Sequence, residues 1–349
     1  MKKLLNTVYI TTPCAALRKD GENLVVEMEK GDPPVKEKRQ LPLHMIGSVV
    51  AFAPVHISPA LVGDMAAKGI CCVLLGFNGK FQARIEGPIS GNVLLRRAQY
   101  KMSDTPEDII HSILIGKIAN QRAVLQRFLR DYGAECSADN AGEIEHVVKQ
   151  MVFIMQYVEK QSLSADQLRG KEGEAAQLYF SVFDYLIRSP DEDMRWTKRS
   201  RRPPLDPVNA LLSFLYTLLT HDCRAACESV GLDPAVGFLH RDRPGRPSLA
   251  LDLMEELRPV FADRLALSLI NRRQVRAQDF KKEESGAVLM SDEARKTVLQ
   301  AWQERKKEER LHEFIGEKAP YGLVPFLQAQ LMARHLRSDL EAYPPWFWK

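Results

Sequence analysis

The hydrophobic pattern of this chain changes period once, near residue 93, and that change restricts its architecture more than any other feature. Before it the apolar runs are short and β-prone: Leu5 to Ile10, Asn23 to Met28 after an Asp20-Gly21 turn, Met45 to Phe52, and Cys71 to Leu75 with Phe81 to Glu86. The last two flank Asn78-Gly79, residues that tolerate positive φ and favour a hairpin. Gly31-Asp32-Pro33-Pro34 breaks the series. Ser58, Pro59 and Gly69 supply the cap, first turn and stop of one helix. After residue 93 the spacing is helical. Ile110, Ile113, Leu114, Ile118, Leu125 and Leu129 follow a 3.6 period within Glu107 to Arg130. Further helices are predicted over Ile144 to Val158, from a Ser164/Gln167 capping box to about Ile187, and over Asn209 to Thr220. Three more follow: Leu249 to Ile270 with a bend at Pro259, Ser291 to about Arg310, and Pro325 to Leu336. The expected fold class is α+β, a β-rich domain with one helix over 1–92 followed by a larger all-α domain over 93–349.

The length of 349 residues accommodates two such domains. With 45% hydrophobic and 27% charged residues the chain is neither disordered nor collagen-like. Six cysteines, Cys14, Cys71, Cys72, Cys136, Cys223 and Cys227, form no CxxC pair, which argues against a zinc ribbon or disulfide scaffold. No apolar run reaches the roughly 18 residues of a membrane span, and the residues after Lys2-Lys3 read as a first strand, not a signal peptide. A cytoplasmic protein without membrane contact is expected.

Three segments carry candidate chemistry. Gly170 and Gly173 share a helix face beside Glu172. Their side-chain-free surface fits either a close helix crossing or an approaching ligand. His240 ends the turn-rich stretch from Gly231 and is either a packed histidine or a metal ligand. From Ser248, a plausible helix cap, runs a helix on which Asp252 stands three residues from Glu255 and four from Glu256. Like charges at that spacing repel unless solvated or bridged by a cation. Together Glu172, His240, Asp252 and Glu255 form a mixed nitrogen and oxygen set without cysteine, which suits Mg²⁺ or Mn²⁺.

The basic residues point to phosphate. Arg195, Lys198, Arg199, Arg201 and Arg202 precede Pro203-Pro204; Arg241, Arg243 and Arg246 follow His240; Arg258 ends the acidic helix; and Arg272, Arg273 and Arg276 form a further group. Clusters of this kind are solvated loops or phosphate contacts. The net charge of only +4 does not decide, because acids such as Asp191, Glu192 and Asp193 offset the arginines. Three readings compete: a metal-dependent nuclease, a phosphohydrolase of small substrates, and a non-catalytic nucleic-acid scaffold. A zinc peptidase is a poor reading, because no HExxH is present.

Taken in order, Arg169 to Ala176, Asp233 to His240 and Ser248 to Pro259 resemble the CRISPR-associated spacer-acquisition endonuclease and integrase family. Lys117, Ile118, Asn120 and Gln121 are similar to its first long helix. Asp279-Phe280, Gly286 to Leu289 and Thr297 to Arg305 are similar to its C-terminal part, and the length resembles the type I branch. The resemblance implies a metal site of Glu172, His240 and Glu255 with Asp252 beside it, holding Mg²⁺ or Mn²⁺. It implies that a 3′-hydroxyl of short foreign DNA attacks a phosphodiester at a repeat edge. The implied partners are double-stranded and branched DNA, a second copy of the chain, and a small dimeric protein, the second universal CRISPR adaptation protein. The β domain would carry the dimer and partner contacts. Lys171 departs from the branched apolar residue usual in the family. The aromatic end, Tyr343 to Lys349, fits either docking on a partner or packing on its own domain.

Overall fold

The computed structural model describes residues 5–30, 35–52, 54–76, 81–85, 87 and 92–348. The chain divides into two compact units, 1–90 and 91–349. It is a mixed α+β protein with a β-rich N-terminal region.

In the first unit, β1 (Asn6–Ile10), β2 (Ala16–Asp20), β3 (Asn23–Lys30), β4 (Val35–Pro42), β5 (Ile46–Ala51), β6 (His56–Ile57), β7 (Cys71–Leu75) and β8 (Phe81–Ile85) accompany α1 (Pro59–Ala67). They form two four-stranded sheets, ordered β1-β5-β7-β8 and β4-β3-β2-β6. The first is parallel except for the antiparallel β7–β8 pair. Ser58 caps α1 by accepting from the Leu61 amide. Leu61 and Met65 of that helix join Leu17, Leu24, Val49 and Cys72 in one apolar core. The sequence pattern misses β2, β4 and β6. Half of β4 is charged and it is largely exposed, so period-2 apolar alternation is absent. The Asn78-Gly79 and Gly31 to Pro34 turns lie outside the described residues.

The second unit contains α2 (Val93–Met102), α3 (Glu107–Tyr132), α4 (Ala138–Lys160), α5 (Ala165–Ser181), α6 (Pro207–Val230), α7 (Ser248–Leu257), α8 (Arg264–Asn271), α9 (Asp292–Lys307) and α10 (Val324–Leu336). Buried α3 packs on α4, α5 and α7, and α6 packs on α7 and α10. This unit is not all-α. Two antiparallel hairpins interrupt it, β9 (Phe280–Lys282) with β10 (Val288–Met290) and β11 (Glu309–His312) with β12 (Glu317–Pro320). Strands of three or four residues are too short to display a period. The helix opened by the Ser164/Gln167 capping box ends at Ser181, not Ile187, and a tight turn over Phe183–Leu186 follows. There the Asp184 carboxylate accepts from the Trp196 amide at 2.6 Å, and Trp196 stacks on Phe180. The expected bend at Pro259 is a wide π turn over Arg258–Asp263 joining α7 to α8. Proline has no amide to donate, so the α ladder cannot pass through it. Among the described residues no helix is long and apolar enough to cross a membrane, and all six cysteines are free.

Candidate active site

Three elements of the second unit bring the sequence-marked acids and histidine together. The loop from Gly231 to His240 is held by side chains of α2 and α5. Gln99 of α2 donates to the Asp233 and Val236 carbonyls at 2.8 Å each and accepts from the Asp233 amide. Arg169 of α5 donates to the Leu239 carbonyl at 2.6 Å and the Phe238 carbonyl at 2.9 Å. Sequence inspection does not mark Gln99, and Arg169 opens one of the three motifs without being singled out as a site residue. A glutamine and an arginine acting on backbone carbonyls leave no local pattern.

Asp252 organises the end of this loop. One carboxylate oxygen accepts from the Phe238 and Leu239 amides. The other accepts from the His240 amide at 2.9 Å and pairs with His240 Nδ1 at 2.7 Å. Four N–H groups therefore saturate a fully buried carboxylate. With Nδ1 donating, the lone pair of His240 lies on Nε2, which stands 3.9 Å from Glu255 Oε1. Gly237 is required here. A Cβ at that position would lie 2.7 Å from Ser248 Cβ and 2.9 Å from Asp252 Oδ2. Ser248 is not the helix cap its position implied: it lies within α7, and its hydroxyl donates to the Arg241 carbonyl instead.

Glu255 lies one turn along α7, 1% exposed. Arg258 reaches its Oε1 at 2.7 Å, and the Lys117 ammonium reaches its Oε2 at 2.6 Å. Burial pushes this carboxyl up. The charges of Arg258, Lys117 and His240 outweigh that and hold it at about 2. Lys117, in the middle of α3, also pairs closely with Glu172 of α5. Asp252, Glu255 and Glu256 are all buried, so the solvated acidic face open to such a helix is not what forms. Gly170 and Gly173 do not mark a helix crossing, since both are exposed and an added Cβ would touch nothing within 4 Å. Lys171 pairs with Glu174 at 2.8 Å and lies over the Tyr157 ring.

Among the described residues no three His, Cys, Asp or Glu side chains stand close enough together, as placed, to hold a metal ion. The donor chemistry nevertheless fits a hard divalent cation. Two carboxylates from different helices, Glu172 and Glu255, converge on a single positive charge, the Lys117 ammonium. The imidazole nitrogen left free by Asp252 faces the same carboxylate.

The basic residues fall into two groups. Arg199 turns inward, donating to Asn209 at 2.7 Å and to the Ser213 hydroxyl, and lies over Tyr216. Arg258 is bound to Glu255 and also lies over Tyr216. The others are at the surface: Arg195, Lys198, Arg201, Arg202, Arg241 and Arg243 are exposed and Arg246 is half-buried. Arg241 pairs with Asp166 at 2.6 Å. Burial, and after it the positive charge of Arg243 with smaller effects of Arg201 and Arg202, lowers the Arg246 guanidinium.

The aromatic end packs on its own unit. Tyr343 and Trp346 are each 1% exposed. Glu256 accepts from the Tyr343 hydroxyl, the Trp346 amide at 2.5 Å and Gln328. Asn120 brackets the tail, donating to the Trp346 carbonyl and accepting from the Trp348 amide. Gly116 makes room for it, since a Cβ there would lie 2.7 Å from that of Pro345.

Residues 8–304 match the family model described as CRISPR associated protein Cas1. The chain belongs to the Cas1 family. It is 67% identical over 349 residues, the full length of both chains, to CRISPR-associated endonuclease Cas1 2 of Rhodospirillum rubrum. It shares its fold with a casposase bound to integration product, at a TM-score of 0.83 and 20% identity over 99% of this chain and 95% of that one. It also resembles a chain of a Cas6-RT-Cas1–Cas2 complex, at a TM-score of 0.75 and 20% identity over 99% of this chain and 36% of that one. Family membership makes the protein a CRISPR-associated endonuclease, as the three motifs imply.

Proposed function

We propose that Glu172, His240 and Glu255 form the metal centre of a DNA endonuclease and integrase that inserts short foreign DNA into a CRISPR array. The observation that carries this reading is the convergence of Glu172 and Glu255 on one cation beside a histidine whose other nitrogen is held by Asp252. A bound Mg²⁺ or Mn²⁺ would supply Lewis-acid stabilisation of charge on the phosphoryl oxygens and activation of the attacking hydroxyl. Glu172 and Glu255 would hold it through carboxylate oxygens and His240 through Nε2.

Asp252 is a positioning residue in this reading. Its four N–H partners fix the loop and the histidine ring, and its own oxygens are already engaged. Arg258 neutralises part of the charge on Glu255 and keeps it ionised. Arg195, Lys198, Arg201, Arg202, Arg241, Arg243 and Arg246 present exposed or half-exposed guanidinium and ammonium groups that suit phosphate contacts. Arg199 and Arg258 are instead engaged within the unit, by Asn209 and by Glu255. The DNA is double-stranded and branched, consistent with two strand attacks at opposite repeat edges. Those attacks require two active sites, hence a homodimer, with the β-rich residues 1–92 contacting the second copy and a small Cas2-class partner. The fold shared with a chain from a Cas6-RT-Cas1–Cas2 complex supports the Cas2-class partner. A cytoplasmic location follows from action on cellular DNA.

The test is a gel assay on branched or supercoiled repeat DNA, with Mg²⁺ or Mn²⁺ against EDTA, for wild type and Glu172→Ala with and without the small partner. The expected result is metal-dependent nicking or joining that the variant loses. DNA binding without metal-dependent product, even with the partner present, overturns the reading in favour of a scaffold.

A further inference from the structure

Lys117 is not one of the side chains a divalent-cation site needs, yet it stands at the centre of this one. It lies midway along α3 and is 2% exposed. An ammonium group taken that far from water requires compensation. It receives it from two helices at once, Glu172 of α5 and Glu255 of α7, the latter at 2.6 Å. Glu172 and Glu255 present two acidic side chains to two basic ones, Lys117 and Arg258, while Asp252 is taken up by His240 and the loop amides. With both cations in place, little uncompensated negative charge remains to attract a divalent ion. As the side chains stand, Lys117 also occupies the position between the two carboxylates.

We propose that Lys117 is the resident counter-ion of the Glu172–Glu255 pair, a positioning residue that is exchanged when a divalent metal binds. Its ammonium holds two like charges from α5 and α7 close to one another. For the ion to enter, that ammonium must leave the space between them. The exchange lowers intrinsic metal affinity and makes stable occupancy depend on added negative charge, which DNA phosphates bring. This inference rests on the metal-site reading above and concerns how that site is filled.

The test uses the full chain without DNA and reads free Mn²⁺ by electron paramagnetic resonance during titration of wild type, Lys117→Met, Lys117→Arg and Glu172→Ala. Removing a unit charge a few ångströms from the ion is expected to tighten Mn²⁺ binding by at least about tenfold in Lys117→Met. Lys117→Arg, which keeps the charge, is expected to bind no tighter than wild type. In thermal melts Lys117→Met should lose stability in EDTA and gain more from Mn²⁺ than wild type does. A purely structural lysine would change the melt in EDTA and leave the metal-induced rise as it was. Equal Mn²⁺ affinity in wild type and Lys117→Met overturns the proposal while leaving the metal site standing. If Lys117→Met does not fold, tighter binding by Lys117→Arg overturns it. Mn²⁺ left free by every variant, wild type included and with DNA added, overturns the metal-site reading itself.

Discussion

Glu255 and Glu256 are neighbours in sequence, both buried, and they inhabit opposite electrostatic worlds. Glu255 faces α3 and the π turn, where Arg258 and Lys117 surround it. Burial pushes it up, but those charges hold it at about 2. Glu256 faces the C-terminal tail and α10, where its partners are a phenol, an amide and a carboxamide. Burial dominates, and despite those hydrogen bonds its carboxyl is pushed up to about 7. The helix turns about 100° per residue, and that single step separates a charged face that can do chemistry from a hydrogen-bonded face that anchors the tail. Burial alone therefore does not decide how a buried acid ionises; the charge of the groups it meets does.

The comparison breaks most decisively by neutralising each acid in turn. Glu255→Gln should cost at least about 100-fold in metal-dependent nicking, since a metal contributes several kcal/mol to such a reaction. It should also destabilise the protein by about 3 kcal/mol, because Arg258 and Lys117 lose a buried partner. Glu256→Gln should stay within a few-fold of wild type. Nicking rates and chemical melts of both variants check this, and equal losses of activity would erase the distinction.

The pH dependence sharpens it. The Glu256 value is raised above its unfolded one, so its stabilising effect is complete below about pH 4.5 and is lost as pH rises through about 7. Roughly 3 kcal/mol is at stake across that window. The Glu255 value is lowered, so its contribution is present above about pH 4.5 and is lost as pH falls through about 2. Urea melts from pH 4.5 to 8 should show wild type weakening and Glu256→Gln changing markedly less. A variant that keeps the wild-type slope would remove Glu256 as its source.

The smallest expected effect separates the arginines. Arg201→Ala with Arg202→Ala should reduce the slope of log affinity against log salt by about 0.9 for each DNA phosphate that is no longer neutralised. Arg199→Ala should leave that slope unchanged and lower the melting temperature, because its guanidinium is engaged with Asn209 and Ser213. Filter binding across a salt series, with melts alongside, distinguishes the two.

Much of the helical framework is legible in the residues themselves. Ser58, Ser164 and Ser291 cap the helices that their positions predict. The apolar stripe of α3 is buried, and Pro259 marks the break after α7. Such features are local: a hydroxyl reaches an amide three residues on, and a missing N–H interrupts the ladder at that place. The short hairpins and the charged strand β4 are not legible, because their pairing partners, not their own pattern, make them strands.

For the proposed site, sequence by itself supplied the candidates: Glu172, His240, Asp252 and Glu255 stand out through spacing and the order of the family motifs. Tertiary structure decided what each of them meets. It saturated Asp252 with loop amides, brought Lys117 from a helix 55 residues away to the Glu172 carboxylate, and turned Arg199 inward. It also folded the aromatic tail onto Glu256 instead of leaving it free. The reason is physical. Capping and helix periodicity are encoded within a few residues, whereas desolvation and charge pairing depend on groups that only the packed helices bring within a few ångströms.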